Sequence, residues 1–194
     1  MTAITKPSIG FAFCGSFCTI ESATAALTVL LPHYRITPIF SEAVQHTNTR
    51  FGKADAIMQK IESLCGTSGI KSIVEAETIG PKKLFDLLII APCTGNTLAK
   101  LSLGIIDATV PMAAKAHLRN ARPLLIAPAS NDALSVGLRH IGTLTLRKNV
   151  FFVPFGQDDP IGKPTSLIAD FSKIPEAALS ALENKQLQPM LLRN

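Results

Sequence analysis

LFDLLIIAPCTGNT, residues 84–97, is the most informative stretch of the chain. Leu87 to Ile90 is an unbroken apolar run, the pattern of a strand covered on both faces. Ala91 and Pro92 carry it into a turn of small, hydroxyl and amide side chains, Thr94, Gly95, Asn96 and Thr97, and a helix follows from about Asn96. A passage of this kind sets polar side chains at the carboxyl end of a strand, beside helix N–H groups that lack internal acceptors. The resulting cup carries almost no charge, so its ligand is met by hydroxyls and amides.

The same grammar recurs on either side. SIGFAF (8–13) is a β-prone run ending in the turn CGSFCT, and an Ala- and Leu-rich helix from Glu21 stops at Pro32. RITPIF (35–40) is a second strand that Pro38 marks as irregular or near an edge. In KADAIMQKIESLC (53–65) Ala54, Ile57, Ile61 and Leu64 share a helical face, and Gly66 is a stop. Beyond the central stretch come a helix over about 108–120, the strand PLLIAP (123–128), a helix from Asp132 and the strand NVFFVPFG (149–156). GQDDPIGKPT (156–165) reads as a loop, and PEAALSALENK (175–185) as a closing helix. Alternation of this sort predicts an α/β chain with a doubly wound parallel sheet, a three-layer Rossmann-like or flavodoxin-like arrangement. One domain is expected over 1–194, with its core at about 8–156 and a C-terminal loop and helix at 156–185.

Composition narrows the function classes. The chain is 47% hydrophobic, which suits a sheet covered on both faces or a homo-oligomer. No apolar run reaches the ~18 residues of a membrane span, and MTAITKP (1–7) lacks a signal peptide's apolar core, so a cytoplasmic location is expected. Four cysteines make no disulfide framework, and Cys14 and Cys18 have no second pair at ligand spacing, so no metal site is expected. The net charge of +5 is scattered, with one tyrosine and no tryptophan. That pattern argues against nucleic acid and for a small anion.

Four turns carry the candidate residues. Cys14-Gly15-Ser16-Phe17 holds one glycine and no G-x-G-x-x-G, so no dinucleotide fingerprint is present; it reads as an anion site at a helix start or as a plain turn. Ser41-Glu42-Ala43 reads well as an ordinary N-cap. The turn 92–97 has more polar groups than one cap needs, and Pro128-Ala129-Ser130-Asn131-Asp132 repeats its design after another apolar strand.

PCTGNT and PASND resemble the two signature motifs of the flavin-mononucleotide (FMN) proteins typified by phosphopantothenoylcysteine decarboxylase, lantibiotic cysteine decarboxylases and flavin prenyltransferases. There the motifs read roughly Pro-Ala-Ser-Ala-Asn-Thr and Pro-x-Met-Asn. Within that family TNTRFG (47–52), MAAKAHLRNARP (112–123), SNDAL (130–134) and FFVPFGQDDP (151–160) are similar to the dipicolinate synthase B subunits of spore-forming bacilli. The resemblance implies FMN, with Gly15, Ser16 and Ser41 toward the phosphate and Phe17 in the same loop. It places Thr94, Gly95, Asn96 and Thr97 against flavin and ribityl chain, and Ser130 and Asn131 facing the isoalloxazine or substrate. Catalytic residues stay unassigned, Asn96 and Asn131 being candidates.

The resemblance further implies an oxidoreductase subunit that helps convert a dihydrodipicolinate-type intermediate to dipicolinate in the mother-cell cytoplasm during sporulation. A dipicolinate synthase A subunit would be its partner and would carry the NAD(P) site. The chain read here would be inactive alone and form a trimer or a multiple of one. Arg50, Arg119 and Arg122 are candidates for the dicarboxylate. Two departures stand out. The decarboxylases' histidine, eight residues before the position of Asp86, is Thr78 here, which is no base near neutral pH. The second motif's methionine is Ser130. His33, His46, His117 and His140 read as surface residues. An independent decarboxylase or prenyltransferase, and a flavin-free scaffold, stay open. The loop 156–165 reads as a docking or lid segment or as a solvated connection.

Overall fold

The computed structural model describes residues 6–192; most of the N-terminal stretch considered for a signal peptide lies outside them. Five strands run parallel in the order β2-β1-β3-β4-β5: β1 (Ser8–Phe13), β2 (Arg35–Phe40), β3 (Leu87–Cys93), β4 (Leu124–Ser130) and β5 (Val150–Phe152). Two short strands, β6 (Phe155–Gly156) and β7 (Leu167–Ala169), add an antiparallel pair, with β7 on the last residues of β4. The single strand expected over 149–156 is therefore two. Val153-Pro154 separates them, and proline has no N–H for a ladder.

β3 explains why the sheet centres where it does. All seven of its residues are buried, and burying each Leu or Ile side chain contributes about 1.5–3 kcal/mol. Pro38 sits on edge strand β2, one of the two settings expected of it, and the register of that strand with β1 is unbroken. Its carbonyl accepts from Ile70 N at 2.9 Å, and Ile70 O accepts from Phe40 N at 2.9 Å, so a passing segment covers the outer half of that edge.

Crossover connections between the parallel strands place the helices. α1 (Ile20–Leu30) connects β1 to β2 in one direction, whereas the later connections step the other way. These contain α2 (Glu42–His46), α3 (Ala54–Cys65), α4 (Ile73–Glu77), α5 (Ile79–Lys82), α6 (Gly95–Leu103), α7 (Thr109–Leu118) and α8 (Leu138–Thr145). α9 (Ile174–Leu182) returns to pack on α1, while α7 packs on β2, β3 and β4. The direction of winding reverses between β1 and β3, and an α/β sheet opens a crevice at such a reversal.

Two local expectations change. α3 ends at Gly66 with φ +65°, as expected, but its buried stripe is Ala54, Met58 and Ile61, and Leu64 is 39% exposed. The stripe follows the i, i+4, i+7 spacing of residues that face β2, and Leu64 falls off its edge. The helix expected from Asp132 starts only at Leu138. Before it, Asp132 O accepts from Ser135 N and Gly137 N, and Leu134 N donates away to Thr165 O at 2.9 Å. The backbone there is committed to turns and to a neighbouring loop. Among the described residues no helix is long and apolar enough to cross a membrane.

Candidate functional site

The loops after β1, β2, β3 and β4 meet at the carboxyl edge of the sheet, around the reversal point. Cys14 N donates to Pro92 O at 3.2 Å, and Thr97 Oγ1 donates to Cys14 Sγ at 3.4 Å, so the first and third turns are joined. Two cavities flank that junction and share Gly15 and Thr94. One, of about 480 Å³, is lined by Gly15, Ser16, Phe17, Thr94, Gly95, Ser130 and Asn131 among others. The other, of about 410 Å³, is lined by Gly15, Ser41, Thr94, Asn96 and Thr97 with the start of α7. All ten residues singled out for a cofactor thus border one or both cavities.

Thr94 caps α6: its Oγ1 accepts from Thr97 N at 3.4 Å and lies 3.1 Å from Thr97 Oγ1. Neither Asn96 nor Thr97 serves as the cap. Asn96 is exposed, Thr97 is buried beneath it, and the first-turn N–H groups of Gly95 and Asn96 have no acceptor within the helix.

Ser41 departs from its expected role. It occupies the N-cap position of α2, yet its side chain makes no capping bond, and its Oγ is the one buried side-chain oxygen or nitrogen among the described residues with no partner. Its loop is nevertheless held firmly. Gln45 Nε2 donates to Phe40 O at 2.9 Å and Lys71 O at 2.8 Å, and Glu42 Oε1 accepts from Thr109 N and Oγ1, each at 2.8 Å. A rigid frame therefore keeps a buried hydroxyl unpaired at a cavity wall, an arrangement that costs stability unless something completes it.

Gly95 makes a second provision. A Cβ there would stand 2.6 Å from Ser130 Oγ and 2.9 Å from Asp132 Oδ1, so only glycine lets the third and fourth turns approach. Ser130 Oγ donates to Asp132 Oδ1 at 2.5 Å.

The carboxylates around the cup are engaged: Glu42 by Thr109, Asp132 by Ser130, Asp107 by Lys100 at 2.8 Å and Asp158 by Lys163 at 3.0 Å. Burial raises the Asp158 pKa, but hydrogen bonds from Lys163 and Ser166 and the lysine's charge bring it below the usual carboxylate value. Asp158, Lys163 and Ser166 belong to or follow the loop 156–165 and line the 480 Å³ cavity. Thr165 Oγ1 donates to Asn131 O at 2.7 Å, which ties that loop to the fourth turn. Sequence reasoning misses these loop residues as site residues, because only tertiary pairing brings them over Gly15.

The buried thiol of Cys14 lines the 410 Å³ cavity, and Cys93 is buried in the core. Burial pushes Cys14 up to about 11 against the Thr97 hydrogen bond, and Cys93 is raised by burial and by Cys14. Cys18 is exposed at the rim.

Several candidates lie elsewhere. Thr78 donates to Glu75 O at 2.8 Å and lines a cleft of about 930 Å³ with Ser8, Arg35 and Phe85, at the amino ends of the strands. That cleft is larger than the cup's cavities but holds no orphaned buried group, and sheet ligands bind at carboxyl ends. Arg122 pairs with Asp86 at 3.4 Å and donates to Phe85 O at that same far edge. Arg119 lines a cleft between α6 and α7, and Arg50 stacks on Phe51, a residue of the 480 Å³ cavity, at 4.8 Å. Two of the histidines are not surface residues. His117 is buried with Nε2 2.8 Å from Pro123 O, and His140 is buried with Nδ1 2.6 Å from Ser102 Oγ.

Comparison with known proteins extends these observations. The model of a family described as Flavoprotein matches residues 2–179. The B subunit of dipicolinate synthase from Bacillus subtilis (strain 168) is 42% identical over 195 residues, covering 100% of this chain and 98% of the relative. The crystal structure of the corresponding B subunit from Bacillus halodurans C superposes with TM-score 0.89 at 37% identity, covering 98% of each chain. The FMN binding protein AtHal3 shares the fold, with TM-score 0.66 at 17% identity, covering 94% of this chain and 100% of that one.

Proposed function

The chain belongs to the Flavoprotein family, and from that premise we propose that it is an FMN-binding subunit of a dipicolinate-synthase-type oxidoreductase. Its similarity over the full length to the B subunit of dipicolinate synthase supports a role within an enzyme complex. The observation that carries the cofactor reading is the Ser41 hydroxyl, buried and unpartnered at the wall of a cavity edged by a helix start. A phosphate supplies the acceptor that this hydroxyl lacks, and α6 N–H groups stabilise its charge. Glycine at 95 leaves room between the two signature turns. With its carboxylates already paired, the cup presents hydroxyls, amides and backbone N–H groups, which suit a ribityl chain and a heterocycle's carbonyl and imide edge.

In this reading Gly15, Ser16 and Ser41 hold the phosphate side, with Phe17 beside them. Thr94, Gly95, Asn96 and Thr97 hold the ribityl chain and flavin, and Ser130 and Asn131 face the ring or substrate. Held by these residues, FMN would supply the two-electron acceptor that oxidation of a dihydrodipicolinate-type intermediate to pyridine-2,6-dicarboxylate needs. Asn96 and Asn131 are the candidates for orienting the reacting groups. The chain has no G-x-G-x-x-G turn, so the pyridine nucleotide site belongs to a companion A subunit, and the complex acts in the mother-cell cytoplasm during sporulation. A homotrimer or a multiple of one completes the assembly.

A thiol-oxidising decarboxylase is disfavoured, since among the described residues no histidine lines either cavity of the cup, and Thr78 lies at the opposite edge of the sheet. The test is absorbance of the purified chain between ~370 and ~450 nm, where an oxidised flavin absorbs, followed by assay with and without the companion subunit. A colourless protein that does not take up FMN overturns the cofactor reading. Full dipicolinate formation by this chain alone overturns the two-subunit reading.

A further inference from the structure

Lys100, Lys115, Arg119 and Arg147 converge on a cleft of about 320 Å³ between α6 and α7. Its floor is apolar, formed by Leu101, Pro111, Ala114 and Leu118, and no carboxylate lines it. Lys100 is held by Asp107 at 2.8 Å. Among the described residues, Lys115, Arg119 and Arg147 form no ion pair. Arg147 Nη1 donates to Leu101 O at 3.1 Å, which fixes its guanidinium at the cleft wall. Like charges gathered without a counter-charge repel one another and raise the local concentration of anions. Lys100 and Pro111 also line the cavity that contains Ser41, Asn96 and Thr97, so the cleft adjoins the cup.

We propose that this cleft binds a small planar dicarboxylate, with its ring on the apolar floor and its carboxylates toward Lys115, Arg119 and Arg147. The proposal deepens the reading of the chain as a dipicolinate-synthase-type subunit and rests on it for the choice of ligand. Charge and shape select that ligand class. Inorganic phosphate leaves the apolar floor uncovered, and a monocarboxylate leaves two of the three free cations without a counter-charge. Arginine forks take carboxylates through two parallel hydrogen bonds, and the cleft has two of them.

The experiment is calorimetric titration of the purified full chain with pyridine-2,6-dicarboxylate, with picolinate, inorganic phosphate and a Glu-rich peptide in separate arms. Saturable dicarboxylate binding is expected, tighter than picolinate or phosphate and weakening as salt rises. The double variant Lys115→Gln/Arg119→Gln should bind at least about tenfold more weakly, the loss of charge-assisted hydrogen bonds. Arg119→Lys, which retains the charge, should recover part of that affinity, and circular dichroism verifies that each variant is folded. FMN affinity, followed separately by flavin fluorescence, should not change in the double variant. Absence of flavin binding in the unaltered chain would sink the flavoprotein reading without touching this result. Absence of saturable dicarboxylate binding, equal binding by the double variant, or tighter binding of phosphate or the peptide overturns the proposal.

Discussion

Thr97 Oγ1 donates to Cys14 Sγ at 3.4 Å, across 83 residues of sequence, and so links the turns that follow β1 and β3. The same hydroxyl lies 3.1 Å from the capping oxygen of Thr94. One side chain therefore sets the start of α6 against the glycine loop opposite. Thr97→Val keeps the shape and removes both contacts. A loss of about 0.5–1.5 kcal/mol in denaturant unfolding is expected, together with weaker FMN binding. Unaltered stability would show that the link contributes nothing to the fold.

Ser41→Ala separates a structural hydroxyl from a binding one. Because Ser41 Oγ is buried without a partner, its removal should leave stability unchanged or raise it by up to about 1 kcal/mol. FMN affinity should nevertheless fall roughly three- to tenfold, one hydrogen bond's worth. A variant that is destabilised yet binds flavin normally would return Ser41 to a capping role.

At Gly95 the expectation is steric. An alanine methyl 2.6 Å from Ser130 Oγ forces that side chain off Asp132, at about 1–3 kcal/mol for overpacking. Flavin affinity should drop further than in Ser41→Ala, since the gap between the two turns closes. Flavin titration checks this, and undiminished binding would remove the Ser130 turn from the site.

His117 predicts an acid sensitivity. Burial drives its pKa down to about 4 from 6.5, and the neutral ring donates from Nε2 to Pro123 O. The unfolded chain then takes up a proton below pH 6.5 that the folded chain refuses. Stability contributed by the neutral ring is therefore fully present above 6.5 and is lost as pH falls toward 4, at about 1.4 kcal/mol per pH unit. Urea midpoints measured from about pH 7 to about pH 5 should fall less steeply in His117→Gln, which keeps a donor but cannot titrate. Parallel curves would refute the assignment.

The thiols give an alkaline counterpart. Cys14 is raised from 9.0 to about 11 by burial, so between those values the unfolded chain loses a proton that the folded chain keeps, and stability declines with rising pH. At about pH 8 a disulfide reagent should modify exposed Cys18 quickly while Cys14 and Cys93 stay protected until denaturation. Rapid reaction of all four cysteines in the native protein would contradict the burial.

Much of the site is legible in the sequence because its pieces are local. An apolar run ending in Pro and small polar residues can be seen at 87–97 and again at 124–131, and each is a strand leading into a turn at the same edge. The engagement of Asp158, Lys163 and Thr165 is not legible, since polar residues in a Pro/Gly-rich loop carry no period that reports what they cover. Counting residues sets Thr78 opposite a family histidine, but it cannot reveal that Thr78 faces the amino ends of the strands.

Hydrophobic period and backbone freedom, both properties of a few neighbouring residues, are enough to dictate the alternation of strands and helices, the centrality of β3 and the stop at Gly66. They do not dictate that His117 and His140 are buried, or that Ser41 is an unpaired hydroxyl and not a cap. Those outcomes belong to the folded chain, because a side chain's burial and partners depend on surfaces brought together from distant segments. Ser41 is framed by Thr109 and Lys71, His117 by the turn into β4, and Gly95 by Ser130. No local pattern encodes those distances; the winding of the sheet and its reversal between β1 and β3 do.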